Sequence, residues 1–152
     1  MIEIKPSPTA DTRTCDYTKV TEEELYKSSY QHIQDVHAGL MFFADKLMDA
    51  STNHDPDKLS DIKGFHRDFV TGFQRTEWWD AHRKLNRHHL NSADGVPEDV
   101  NLIDVLDYIA DCVMAGMARS GDVTPLMMTD ELLMRAFRNT IELLMKEVRV
   151  VE

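Results

Sequence analysis

The sequence is short of cysteine, glycine and proline, and it has no surplus of positive charge. Two cysteines in 152 residues, Cys15 and Cys112, make no CxxC pair. That excludes a zinc ribbon, a dithiol redox motif and a disulfide framework. A reduced, cytoplasmic protein is the expectation. Six glycines and five prolines argue against a loop-rich or all-β chain. No apolar run approaches the ~18 residues of a membrane span. The opening "MIEIKPSPTA" lacks the apolar core of a signal peptide. The formal net charge of −10 repels phosphate backbones and anionic lipid, so no long-range attraction to nucleic acid or membrane is expected.

Helical periodicity is what the chain does have. Residues 1–20 read as an extended arm with one short strand, and 21–152 as a single all-α domain of about five helices. Thr21 with Glu24 forms a capping box at the start of the first helix. Tyr26, Tyr30, Ile33, His37, Leu40, Ala44 and Leu47 then recur at steps of four and three and predict one buried stripe. "STNHDPDK" breaks that helix. A second helix starts at Ser60, with Ile62, Phe65, Phe69 and Phe73 as its apolar face. A third, over 76–90, is capped by Thr76 and aligns Trp78, His82, Leu85 and His89. "NSADGVPED" is a loop. The fourth helix places Leu102, Leu106, Ile109, Val113 and Met117 inward, and the fifth Leu133, Ala136, Phe137, Ile141, Leu144 and Val148.

All seven histidines lie between His32 and His89. His37 on its own reads as a core histidine. Asp55 reads as a helix cap, but neither His54 nor Lys58 is explained by a cap. Asp107 and Asp111 sit one turn apart and can point the same way. Taken together, His37, His54, Asp55 and Asp111 form a two-imidazole, two-carboxylate set. Such a set suits Mn²⁺, Fe²⁺, Co²⁺, Ni²⁺ or Zn²⁺, with Mg²⁺ at the hard limit. The break at 51–56 supplies the bend that turns His54 and Asp55 to one centre.

The order H…HD…D resembles the HD-domain metal-dependent phosphohydrolases, which are all-helical. A closer resemblance is to small HD-like proteins of phages and bacteria with the pattern H…HDxSKF…HxxxNxHH…E-M-x-x-D-W. The matching stretches are "HDPDKL", "HRKLNRHHL" and "DYIADC", within about residues 30–120. Position 57 is Asp instead of Ser, Asp107 replaces Glu, and Cys112 replaces Trp. The resemblance implies a metal held by His37, His54, Asp55 and Asp111, and a second ion at His82 and His89. It implies Lys58 as a phosphate contact, beside His82, Asn86 and Trp79 in substrate binding. Asp107 and His88, with Lys58, are the expected catalytic groups. The expected activity is hydrolysis of a nucleotide or related small phosphoester. A two-iron oxygenase and a non-enzymatic, metal-stabilised module that binds a nucleotide or a partner protein stay open beside it, and homo-oligomer formation is open for any of the three.

Overall fold

The computed structural model describes residues 1–91 and 94–152. Two residues of the expected 91–99 loop, Ser92 and Ala93, lie outside the described residues. The protein is mostly α-helical, with one two-stranded sheet among the described residues. In chain order the elements are β1 (Ile2–Ile4), α1 (Glu22–Thr52), α2 (Pro56–Ser60), α3 (Ile62–Phe69), α4 (Glu77–Leu85), α5 (Leu102–Asp111), α6 (Asp130–Met145) and β2 (Val148–Val150). Among the described residues no helix is long and apolar enough to cross a membrane. Backbone contacts divide the chain into two units, 1–45 with 141–152, and 46–140.

In the first unit, β1 and β2 pair in parallel with Ile2 opposite Val148. The β1 strand was expected from the arm, but its partner β2 was not. The capping box of α1 forms as the sequence predicts. Thr21 N–H donates to Glu24 Oε2 at 2.9 Å and Glu24 N–H to Thr21 Oγ1 at 3.3 Å. The arm is tied to α1 by polar contacts: Gln31 Nε2 donates to Lys5 O at 2.6 Å, and the Ser7 and Ser28 hydroxyls meet at 2.8 Å.

The expected buried stripe of α1 is overturned. Tyr26 is 70% exposed, Ile33 60% and Leu40 62%. Tyr30, His37, Ala44 and Leu47 are exposed as well. The half-buried side of the helix is polar in its first half, with Ser28, Gln31 and Asp35, and apolar further on, with Ala38, Phe42 and Phe43.

In the second unit, Leu90, Val100, Val105, Tyr108 and Ala136 form the core. The inward line of α5 is therefore Ile103, Val105 and Tyr108, and Leu106 and Ile109 face outward. On α6, Ala136 is buried as expected, but Leu133, Phe137 and Ile141 are exposed. In both helices the buried arc is narrower than the apolar arc of the sequence, and it is set by polar docking. Leu102 N–H donates to Thr140 Oγ1 at 2.8 Å, and that hydroxyl donates to Ala136 O at 2.7 Å.

Helix α3 is capped one residue later than expected, by Asp61, whose side chain accepts from Gly64 N–H. Ile62 and Phe69 on its apolar face are exposed. Helix α4 begins after Thr76, but the Thr76 hydroxyl goes to Asp80. Its free amides are taken by the fully buried Asp68, whose Oδ2 accepts from Trp78 N–H at 2.8 Å and Trp79 N–H at 3.1 Å. A carboxylate at a helix N-terminus also suits the helix dipole. Asp68 thus fixes α4 and, through it, His82.

Candidate metal centre

The chain turns sharply after α1. Asp55 adopts φ 52°, ψ 40°, a left-handed conformation that Asp tolerates better than most residues. Pro56 then opens α2, where a missing N–H costs nothing. This kink presents His54 and Asp55 from one side. From another, α4 ends early: Asn86 is extended, and its N–H and its amide both donate to His82 O at 3.0 Å. The expected helix over 76–90 therefore stops at Leu85. His88 and His89 leave it, so the helical alignment of His89 with His82 expected over 76–90 does not apply. Helix α5 supplies Asp107 and Asp111.

Among the described residues, two groups of donor atoms converge. The first is His54, Asp55, His88 and Asp111, and the second is Asp55, His82 and His89. Asp55 belongs to both. Its Oδ1 lies 3.4 Å from His82 Nε2 and 3.3 Å from His88 Nε2. Its Oδ2 lies 3.4 Å from His54 Nε2, which is 3.6 Å from Asp111 Oδ1. These separations exceed good hydrogen bonds. They match two donors bound at about 2.0–2.2 Å to one ion, which stand about 3.0–3.6 Å apart.

Asp55 Oδ1 and the Nε2 atoms of His82, His88 and His89 are buried with no hydrogen-bond partner. A buried unpaired polar atom costs roughly 1–3 kcal/mol. One carboxylate oxygen with three imidazole nitrogens around it, all unpaired, fits a ligand that is itself a cation. The opposite ring nitrogens of His54 and His82 are hydrogen-bonded. His54 Nδ1–H donates to Asp107 Oδ1 at 2.8 Å, and His82 Nδ1–H to Asp57 Oδ2 at 2.8 Å. His88 Nδ1 faces Asp107 Oδ2 at 3.4 Å. A carboxylate can only accept, so each bond places the proton on Nδ1 and the lone pair on Nε2. Outer carboxylates of this kind orient metal-binding imidazoles.

Electrostatics agree with the geometry. Burial pushes the Asp55 carboxyl up, but the Lys58 ammonium bonded to it and the neighbouring His54 and His88 outweigh burial and hold it below its ordinary value. Asp57 is likewise lowered, because bonds from Asn86 and His82 overcome its burial. Burial lowers His88 against the opposing pull of Asp55 and Asp107. Burial, with His88 and His82 nearby, brings His89 down to about 4. Near neutral pH the site offers an ionised Asp55 and neutral His88 and His89.

The expected residues are distributed as follows. His54, Asp55 and Asp111 come together, joined by His88 where the sequence pointed to His37. His37 is exposed on α1 and belongs to neither group. His82 and His89 converge on Asp55 as the second group. Asn86 is buried and engaged with Asp57 and His82. Trp79 packs at 5.3 Å from both His82 and His89, and Trp78 stacks on His82 at 4.6 Å, so both indoles wall the site. His66 is exposed.

Two features went unread in the sequence. One is Asp57, which had registered only as a departure from Ser. The other is a cleft of about 480 Å³ beside His54 and Asp111, walled by Leu47, Leu106 and Met114, with Arg119 among its lining residues. It follows a π-helical turn, Cys112–Met117, of the kind often found next to functional sites. Compared with known proteins, the chain matches no family model, no curated protein and no solved structure.

Proposed function

We propose that the protein is a metal-dependent phosphohydrolase acting on a nucleotide or related small phosphoester. The observation that carries the reading is the set of unpartnered buried atoms around Asp55, with the far nitrogens of His54 and His82 tied to carboxylates. His54, Asp55, His88 and Asp111 would hold one divalent ion, and His82 and His89 with Asp55 a second. Such ions supply Lewis-acid polarisation of a phosphoryl oxygen and a water nucleophile at neutral pH. The resemblance of "HDPDKL" and "HRKLNRHHL" to HD-type hydrolases supports phosphoryl chemistry in particular.

The chain's own groups then have separate tasks. Asp107 keeps the proton on Nδ1 of His54, and Asp57 on Nδ1 of His82. Lys58, bonded to Asp55, is the cation nearest to the donors and can exchange toward a phosphate oxygen. Arg119 is placed to receive an anionic group across the cleft. Leu106 and Met114 would give the organic part of the ester an apolar wall. The two free thiols, Cys15 and Cys112, support a cytoplasmic setting.

One feature favours a second reading, a two-iron oxygenase: Asp55 is shared by both donor groups, as a bridging carboxylate would be. The experiment measures bound metals, then hydrolysis of nucleoside mono-, di- and triphosphates with Mn²⁺, Co²⁺ or Ni²⁺, for wild type and Asp55→Ala. Hydrolysis by wild type alone is expected. Equal turnover by both proteins sinks the hydrolase, and two bound irons with oxygen uptake moves the reading to the oxygenase. Metal-dependent stability without turnover leaves a binding module.

A further inference from the structure

The exposed stripe of α1 has a strict seven-residue repeat. Tyr26, Ile33, Leu40 and Leu47 fall at one heptad position, and Tyr30, His37 and Ala44 at the other. Three heptads of this spacing define a seam for a second helix in a left-handed supercoil. The opposite side of α1 is already used within its own unit, by Ser28 against Ser7 and Gln31 against Lys5. Gly39 there lies against Leu144.

Surface area gives an independent measure. A folded monomer of this mass exposes about 7,900 Å² by size scaling, and two free-standing bodies divided as the two units are about 9,400 Å². The chain exposes 11292 Å². The excess over even the larger value is about 1,900 Å² for the whole chain; Tyr26, Tyr30, Ile33 and Leu40 of α1 contribute to it, together with Leu59, Val70 and Met127 elsewhere.

We propose that α1 pairs with α1 of a second copy of this chain as a parallel, in-register, two-stranded coiled coil centred on Tyr26 to Leu47. The flanking positions select the second copy and the parallel sense. In a parallel pair each residue before the seam faces the residue five further along on the other helix. Glu22 then meets Lys27, Ser29 meets Gln34, Val36 meets Met41, and Phe43 meets Met48: one opposite-charge pair, one polar pair and two apolar pairs. Antiparallel pairing would set Lys27 or Gln34 against the methionines. His37 becomes a layer of the seam.

Sedimentation equilibrium of the full chain tests this. The expected mass is twice 17.5 kDa. Ile33→Asp with Leu40→Asp should weaken association at least 100-fold and leave the helical circular dichroism unchanged, because neither side chain is buried within its protomer. For direction, Ile33→Cys and Leu40→Cys are made separately in a Cys15→Ser, Cys112→Ala background. Both should form covalent dimers on mild oxidation, since an antiparallel pair cannot bring both 33 to 33 and 40 to 40. His37→Leu should tighten the dimer and leave metal content unchanged. A monomeric wild type, an assembly that survives the double substitution, or only one of the two crosslinks overturns the proposal.

Discussion

The surroundings of Asp55 and the outer face of α1 invert the usual distribution of side chains in opposite senses. Around Asp55 the interior is imidazole and carboxylate: His82 is 0% exposed and His88 2%. Along α1 the exterior is tyrosine, isoleucine and leucine. A buried charge costs heavily unless it is paired or coordinates an ion, whereas an exposed apolar stripe costs little until something covers it. The first region is therefore sensitive to single atoms, and the second to the presence of a partner.

The comparison breaks most sharply at Asp55. Asp55→Asn keeps a residue that tolerates φ 52° but removes the charge common to both donor groups. Metal affinity should fall by more than about 100-fold, beyond the range seen for outer-shell changes, and hydrolysis should disappear. Calorimetric titration with Mn²⁺ or Ni²⁺ measures it, and circular dichroism checks that the fold persists. Unchanged affinity would mean that the orphaned atoms await something other than a cation.

Asp107→Ala tests the layer behind. His54 loses the acceptor of its Nδ1 proton and His88 the carboxylate 3.4 Å from its Nδ1, so affinity should fall about 10–100-fold. Asp57→Ser, which touches only His82 among the imidazoles, should cost less and leave the His54 group's ion in place.

These outcomes bear on what was legible in the chain. His54, Asp55 and Asp111 could be found because a doublet and a spaced carboxylate are local patterns. His88 could not be placed, since its position follows from α4 ending at Leu85, and that depends on Asn86 meeting His82 and Asp57 through space. Asp57 stood out only as a departure from Ser because its partner is 25 residues away. The heptad of α1 was fully legible as a pattern. Its burial was not, because periodicity marks an apolar face without saying whether the chain itself supplies the cover. The Thr21–Glu24 box was predicted correctly because both members lie within one turn.

A smaller effect is expected at the wall behind His82. A methyl group at Gly64 would stand 2.2 Å from Asp61 Oδ2 and 2.7 Å from Trp78 Cδ1. Asp61 can swing aside, but Trp78 is buried and cannot. Gly64→Ala should cost about 1–3 kcal/mol of stability, read as a lower urea midpoint at constant slope. Acid should act on the same region. His89 is held down near 4 in the folded protein, so between about pH 6.5 and 4 the unfolded chain binds the extra proton. Stability of the metal-free protein is then full above about pH 6.5 and declines as the pH falls, by at most about 1.4 kcal/mol per pH unit for one proton. Urea unfolding at steps from pH 7 to 4 follows this, and a flat profile would remove His89 from the buried set.

The smallest expected effect is on the other side of the comparison. Ile33→Ser on α1 should change the stability of the dilute, monomeric chain by less than about 0.5 kcal/mol, as at an ordinary surface position. Were Ile33 part of its own protomer's core, the same change would cost roughly 2–5 kcal/mol at any concentration. At high protein concentration the wild type gains stability by mass action from a partner that binds only the folded chain, and the variant forfeits that gain. The two urea midpoints should therefore coincide at about 0.1 μM and separate at about 100 μM. A gap already present at the lower concentration would return the stripe to the protomer's interior. Coincidence throughout would leave it without a partner, and the concentration dependence itself separates a face waiting for cover from one that is merely exposed.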